Sequence, residues 1–227
     1  MSAVNLLQRT AAEFFGTAVL VATVVGSGHM AQALTADIGV GLMMTMLATV
    51  FVLGLLIFLV APVSGAHLNP AVSLALMLRA GFPARDGLAY IGGQVAGALL
   101  GTVGAQAMFD NPLAELAQYE RIAPGVFLGE VVATAGLIAI IVGSFHQRRV
   151  AWLPLLVPAW IGAGHLFTSS TSFANPAVTV ARMFTDSFTG IHPASVPWFV
   201  AAQILGVVVA LVVVRIFENA PMKEGSR

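Results

Sequence analysis

Two asparagines stand before proline in matching settings: Asn69 in Gly65-Ala66-His67-Leu68-Asn69-Pro70-Ala71-Val72, and Asn175 in Ser172-Phe173-Ala174-Asn175-Pro176-Ala177-Val178. An Asn in that place caps a helix whose first residue is the proline, because proline suits the first helical position and cannot continue a helix backwards. The chemistry on offer is recognition. Two capped helix starts present positive dipole ends and side-chain amide groups that donate hydrogen bonds to neutral oxygens and repel cations. No nucleophile, base and acid come together as a catalytic set, and no residues have metal-ligand spacing. Cysteine is absent, which removes disulfides and thiolate metal sites. The sequence therefore calls for no enzyme, cofactor or metal.

The composition says where these helix starts must lie. Of 227 residues, 58% are apolar and 9% charged, against about a quarter charged in soluble domains. This is a membrane composition, and a net charge of zero gives no basis for binding nucleic acid. Six apolar runs are long enough to cross a bilayer: residues 11–30, 38–62, 88–108, 125–145, 150–167 and 196–216. The first holds Glu13 and is followed by further spans, so it is read as a retained helix. The helices after Asn69 and Asn175 are too short to span and are expected to be re-entrant half-helices of two or three turns.

The order span, span, half-helix, span occurs twice. Ala12-Glu13-Phe14-Phe15-Gly16-Thr17 returns as Gly129-Glu130-Val131-Val132-Ala133-Thr134, and Gln94 is matched by Gln203. An odd number of spans in each copy turns the second upside down, giving one channel-like domain over 1–227 with inverted halves at about 9–108 and 125–217. Arg9, Arg79, Arg85, Arg148, Arg149, Arg215, Lys223 and Arg227 fall on one side, which the positive-inside rule makes cytoplasmic, termini included. Glu13 and Glu130 admit two readings, as proton-relay groups or as acceptors for loop N–H groups. Their equivalence in the repeat favours the second. Residues leading into each Asn are expected to be extended and to offer the carbonyls of Gly65, Ala66, His67, Phe173 and Ala174 to a passing molecule, with the His67 side chain bracing its loop. Gly92, Gly93, Gly97, Gly101 and Gly104 suggest close helix contact.

The paired Asn-Pro-Ala motifs, the paired Glu-x-x-x-Thr, the run Ser64-Gly65-Ala66-His67-Leu68-Asn69-Pro70-Ala71-Val72 and the Gln94/Gln203 pair together resemble the aquaporin superfamily over residues 11–216. The resemblance implies an all-α fold of six spans and two half-helices, a homotetramer in the bacterial inner membrane, passive passage of water or small neutral solutes, and Asn69 and Asn175 at the pore centre. The family's second motif usually ends in Arg, where this chain has Val178. Counting from the motifs puts Thr49, Ser172, Val178 and either Ala163 or His165 in the selectivity filter. Arg182 is expected about 6 Å further out at 1.5 Å per residue, in the outer vestibule. The wide, weakly polar filter resembles bacterial aquaporin-like channels found with arsenic-resistance genes. That suggests trivalent metalloids and methylated arsenicals as cargo, with a water or glycerol facilitator as the alternative and a proton-coupled transporter as a third reading. A passive conduit predicts solute flux that neither saturates nor answers an imposed pH gradient in reconstituted vesicles; proton-driven accumulation against a solute gradient would contradict it.

Overall fold

A computed structural model of the chain describes residues 4–79 and 81–218, and these are helical apart from turns and loops. The helices are α1 Leu6–Leu34, α2 Ile38–Ser64, α3 Pro70–Arg79, α4 Ala84–Met108, α5 Pro124–His146, α6 Leu153–Phe167, α7 Pro176–Ala181 and α8 Val196–Glu218. All but α3 and α7 are, with the short turn Val150–Trp152 added to α6, long and apolar enough to cross a membrane. Of the basic residues used to orient the chain, Lys223 and Arg227 lie outside the described residues.

Local sequence sets the boundaries. Asn5 and Gln8 close a capping box at the start of α1, and the Asp37 side chain accepts the Val40 N–H at 2.9 Å to start α2. Gly65 ends α2 in the left-handed conformation at φ 92°, which glycine adopts without a Cβ penalty. The helix α1 packs on α2 and α4, α5 on α6 and α8, and α2 meets α6. Along α4, Gly93, Gly97 and Gly101 recur every fourth residue and face Thr10, Phe14 and Ala18 of α1, themselves four apart. A Cβ at Gly97 would lie 2.1 Å from the Phe14 carbonyl oxygen, and one at Gly101 would lie 2.3 Å from that of Ala18. Backbones this close explain the stripe, since lipid gives helices no hydrophobic reason to associate and packing must hold them. Gly92 and Gly104, by contrast, meet nothing within 4 Å, so close contact accounts for only three of the five glycines.

One face of the bundle carries the ends nearest the chain termini. There Arg9 binds Asp86 at 2.8 Å, joining α1 to α4, and Arg79 pairs with Glu218, joining α3 to α8. The opposite, distal face is covered by residues 109–123 and 185–192. The peptide N–H groups of Glu115 and Ala117 donate to the carbonyls of Phe184 and Met183, Ile191 N–H donates to the Arg182 carbonyl, and His192 N–H to that of Tyr119. α7 has six residues and tightens into the turn Arg182–Phe184, and these bonds explain why it goes no further: the carbonyls of 182–184 that would continue it are taken by the covering loops. Because the Gly97 contact is with backbone, Gly97→Ala is expected to cost about 1–3 kcal/mol and lower the melting temperature of the purified protein. Gly92→Ala, on open helix surface, should be neutral or stabilising by up to about 1 kcal/mol. Equal effects of the two changes would contradict the packing account.

Candidate functional site

Both chain segments that lead into the half-helices are irregular, and not extended as the sequence suggests. Ala66 and Leu68 have φ of 51° and 50°, and Thr171, Ser172 and Ala174 have 58°, 52° and 46°. Each such residue costs roughly 1–2 kcal/mol relative to ordinary backbone, and a surrounding structure must hold it. Two buried carboxylates do so. Glu13 accepts Ser64 Oγ at 2.6 Å, the peptide N–H groups of His67 and Leu68 at 2.9 and 2.6 Å, and Gln94 Nε2 at 2.8 Å. Glu130 accepts the N–H groups of Phe173 and Ala174 at 3.2 and 2.5 Å and Gln203 Nε2 at 2.7 Å. Neither carboxylate is exposed or lines a cavity. His67 braces its loop through Ser73 at 3.0 Å, with its ring packed against Phe82 and Tyr90.

The two half-helices meet start to start. Asn69 Oδ1 caps Ala71 N–H at 2.8 Å and its Nδ2 donates to the Ala174 carbonyl at 2.7 Å; Asn175 Oδ1 caps Ala177 N–H at 3.0 Å and its Nδ2 donates to the Leu68 carbonyl at 2.8 Å. An amide nitrogen carries two hydrogens. One at each Asn is thus spent on the opposite loop, and the other remains for a solute in the cavity that both residues line. The Ala174 carbonyl, expected to face a solute, is engaged by Asn69, and Ala174 does not line the cavity. Gly65, Ala66, His67 and Phe173 do line it.

This central cavity, about 90 Å³, continues at its distal end into a vestibule of about 550 Å³. Val24, Thr49, His165 and Arg182 line both and so mark the neck between them. On the central cavity's apolar side four of the six spanning helices each contribute residues four apart: Leu20 and Val24 of α1, Leu53 and Ile57 of α2, Leu137 and Ile141 of α5, Val157 and Ile161 of α6. Sequence reasoning missed these, although Leu20/Leu137 and Val24/Ile141 sit at the same offset as Glu13/Glu130 and that register could have found them.

At the neck each polar side chain keeps one hydrogen-bonding function free. Thr49 Oγ1 donates to the Thr45 carbonyl at 2.7 Å, leaving its lone pairs. His165 Nδ1 bonds the Ile161 carbonyl at 2.8 Å, which fixes the proton there because a carbonyl only accepts, and Nε2 is left as an acceptor. Ala163, the other position considered for the fifth span, is on the exposed side of α6. Ser172 and Val178 both line the central cavity, and a Cβ on Gly164 would lie 2.6 Å from Ser172 Oγ, so Ser172 packs directly on α6. Arg182 lines the vestibule, where the sequence reading expects it, but it also reaches the neck, 6% exposed, its guanidinium carbon 3.4 Å from the Phe173 ring centroid and its Nε donating to the Thr189 carbonyl. The change of helix type after Ala181 redirects it.

Comparisons with known proteins agree with this architecture. The family model described as major intrinsic protein matches residues 1–174. The chain is 47% identical over 217 residues to Aquaglyceroporin AqpS of Rhizobium meliloti (strain 1021), covering 95% of this chain and 92% of that one. It is 32% identical to the glycerol uptake facilitator protein of Pseudomonas aeruginosa, covering 89% and 85%, and 31% identical to Aquaporin Z of Brucella melitensis, covering 80% and 86%. The X-ray structure of the aquaglyceroporin from Plasmodium falciparum shares the fold, with a TM-score of 0.72 at 21% identity over 95% of this chain and 97% of that one. Six spans, two half-helices meeting through reciprocal asparagine bonds and these likenesses have one explanation: the chain belongs to the major intrinsic protein family and is a membrane channel, not an enzyme.

Proposed function

We propose that the channel passively conducts small neutral polyols of the glycerol class, together with water. The observation that carries this is the two-sided lining. One side offers Asn69 and Asn175 N–H groups and the carbonyl-bearing loop residues Gly65, Ala66 and His67; the other is the apolar wall from Leu20 to Ile161. A polyol has the matching division, with hydroxyls that both donate and accept and a hydrocarbon backbone that needs no partner. The two relatives named for glycerol transport support the reading. In it Thr49, His165, Arg182, Val178 and Ser172 form the selectivity filter, while Asn69 and Asn175 with the two half-helix starts repel cations at the centre. The carboxylates of Glu13 and Glu130, held by loop donors and away from the cavity, serve as structural acceptors and take no part in conduction. The terminal face is cytoplasmic, with the chain spanning the inner membrane as two inverted halves, about 9–108 and 125–217, and assembling as a homotetramer.

A second reading rests on Val178, which presents a branched apolar surface to the central cavity and suits the methyl groups of methylated arsenicals as well as uncharged trivalent metalloid hydroxides. A panel of water, glycerol, arsenite and methylarsenite in reconstituted vesicles separates the readings. Glycerol flux well above empty vesicles supports the first, metalloid flux exceeding glycerol flux supports the second, and water alone contradicts both. Val178→Arg places a long, permanently charged group against that wall. The ratio of methylarsenite to water permeability is then expected to fall by roughly tenfold, the scale on which a pocket discriminates small apolar groups. An unchanged ratio at matched protein content would show that Val178 does not set the width.

A further inference from the structure

Two cations in the vestibule share one aromatic ring. The guanidinium carbon of Arg182 lies 3.4 Å from the Phe173 centroid and that of Arg121 lies 5.4 Å from it, so the two groups are no further apart than those distances together. Both line the vestibule, Arg182 almost fully buried and Arg121 half-buried. Among the described residues neither has a carboxylate within ion-pair distance. Their side-chain hydrogen bonds use only Nε, Arg182 to the Thr189 carbonyl and Arg121 to that of Gly190, so the terminal N–H groups of both forks have no protein partner. The acid that lines the vestibule, Asp186, accepts the Gln118 N–H on Oδ1 at 3.0 Å. Glu130, on the far side of the Phe173 backbone, is occupied by loop donors. Like charges gathered in a poorly hydrated place repel and call for a counter-charge.

We propose that Arg121 and Arg182 form an oxyanion site in the distal vestibule, taking one small carboxylate or phosphate-type anion across both guanidinium forks. Arginine forks match the planar and tetrahedral oxygen arrangements of these groups. Because Arg182 also stands at the neck, an anion held there obstructs the entrance and slows the passage of neutral solutes. The binding claim stands on the geometry alone; the slowing rests on the channel reading above.

Thermal unfolding of the purified protein tests binding. Wild type is expected to melt a few degrees higher in phosphate or in acetate than in chloride at equal ionic strength, and Arg121→Gln to lose the difference. Arg121→Lys keeps the charge without the fork and should keep a smaller shift, which also checks that the loop tolerates substitution. General salting-out acts equally on wild type and variant, so an equal shift in Arg121→Gln, or a wild type that melts no higher in phosphate or acetate than in chloride, overturns the site. A shift with phosphate but not acetate, or the reverse, supports the site and identifies its source chemistry. In vesicles, glycerol flux should fall by about half at the anion concentration that half-fills the site; a thermal shift with unchanged flux supports the site and overturns the obstruction.

Discussion

A bilayer core leaves no water for backbone N–H groups, so any break in a membrane helix must find partners inside the protein or lose several kcal/mol for each group left alone. This chain breaks two helices at that depth, and the whole conduit depends on Glu13 and Glu130 receiving the donors so exposed. Each carboxylate is itself expensive to bury, and each is surrounded by donors from a loop and from a glutamine on a neighbouring span, Gln94 or Gln203. The same bonds hold Ala66, Leu68, Ser172 and Ala174 in or beside left-handed backbone that none would adopt unaided. The loops then turn polar groups towards a narrow cavity while four spans oppose them with aliphatic side chains.

In the proposed reading, passive selection follows from that division of labour. A solute that moves past Asn69 and Asn175 exchanges water for fixed donors and acceptors on one side only, so a molecule with hydroxyls along one edge loses least. An ion finds two positive helix ends and an apolar wall that cannot solvate it. With the carboxylates set behind the loops, the ionisable side chains along the central cavity are His67, His165 and Arg182, each tied to the protein through one nitrogen: His67 Nδ1 to Ser73, His165 Nδ1 to the Ile161 carbonyl and Arg182 Nε to the Thr189 carbonyl.

Much of the fold was legible because the constraints that made it are local or repeated. Proline after asparagine marks the two half-helix starts at Pro70 and Pro176, though Asn111-Pro112 lies in a loop, and the recurrence of Glu13 as Glu130 exposed the inversion. What was not legible depends on contacts between distant segments. Left-handed conformation at Ala66 or Ser172 leaves no compositional trace, since glycine is its usual signal and the strain is held by a remote carboxylate. The position of Arg182 follows from residues 115–117 and 191 binding the carbonyls after Ala181, which no helical count can anticipate. Counting from the motifs leaves Ala163 and His165 both open, and the orientation of α6, with Ala163 on its exposed side and His165 at the neck, separates them.

In the proposed reading solute passes between a hydrogen-bonding file and an apolar wall, and a crystal structure of the protein grown with glycerol puts this to the test. Glycerol is expected in the central cavity with hydroxyl oxygens within hydrogen-bond distance of Asn69 Nδ2, Asn175 Nδ2 and the loop carbonyls, and with carbons against Leu20, Ile141 and Val178. Glycerol lying with its hydroxyls against that wall, or absent from the cavity while present elsewhere on the protein, would contradict it.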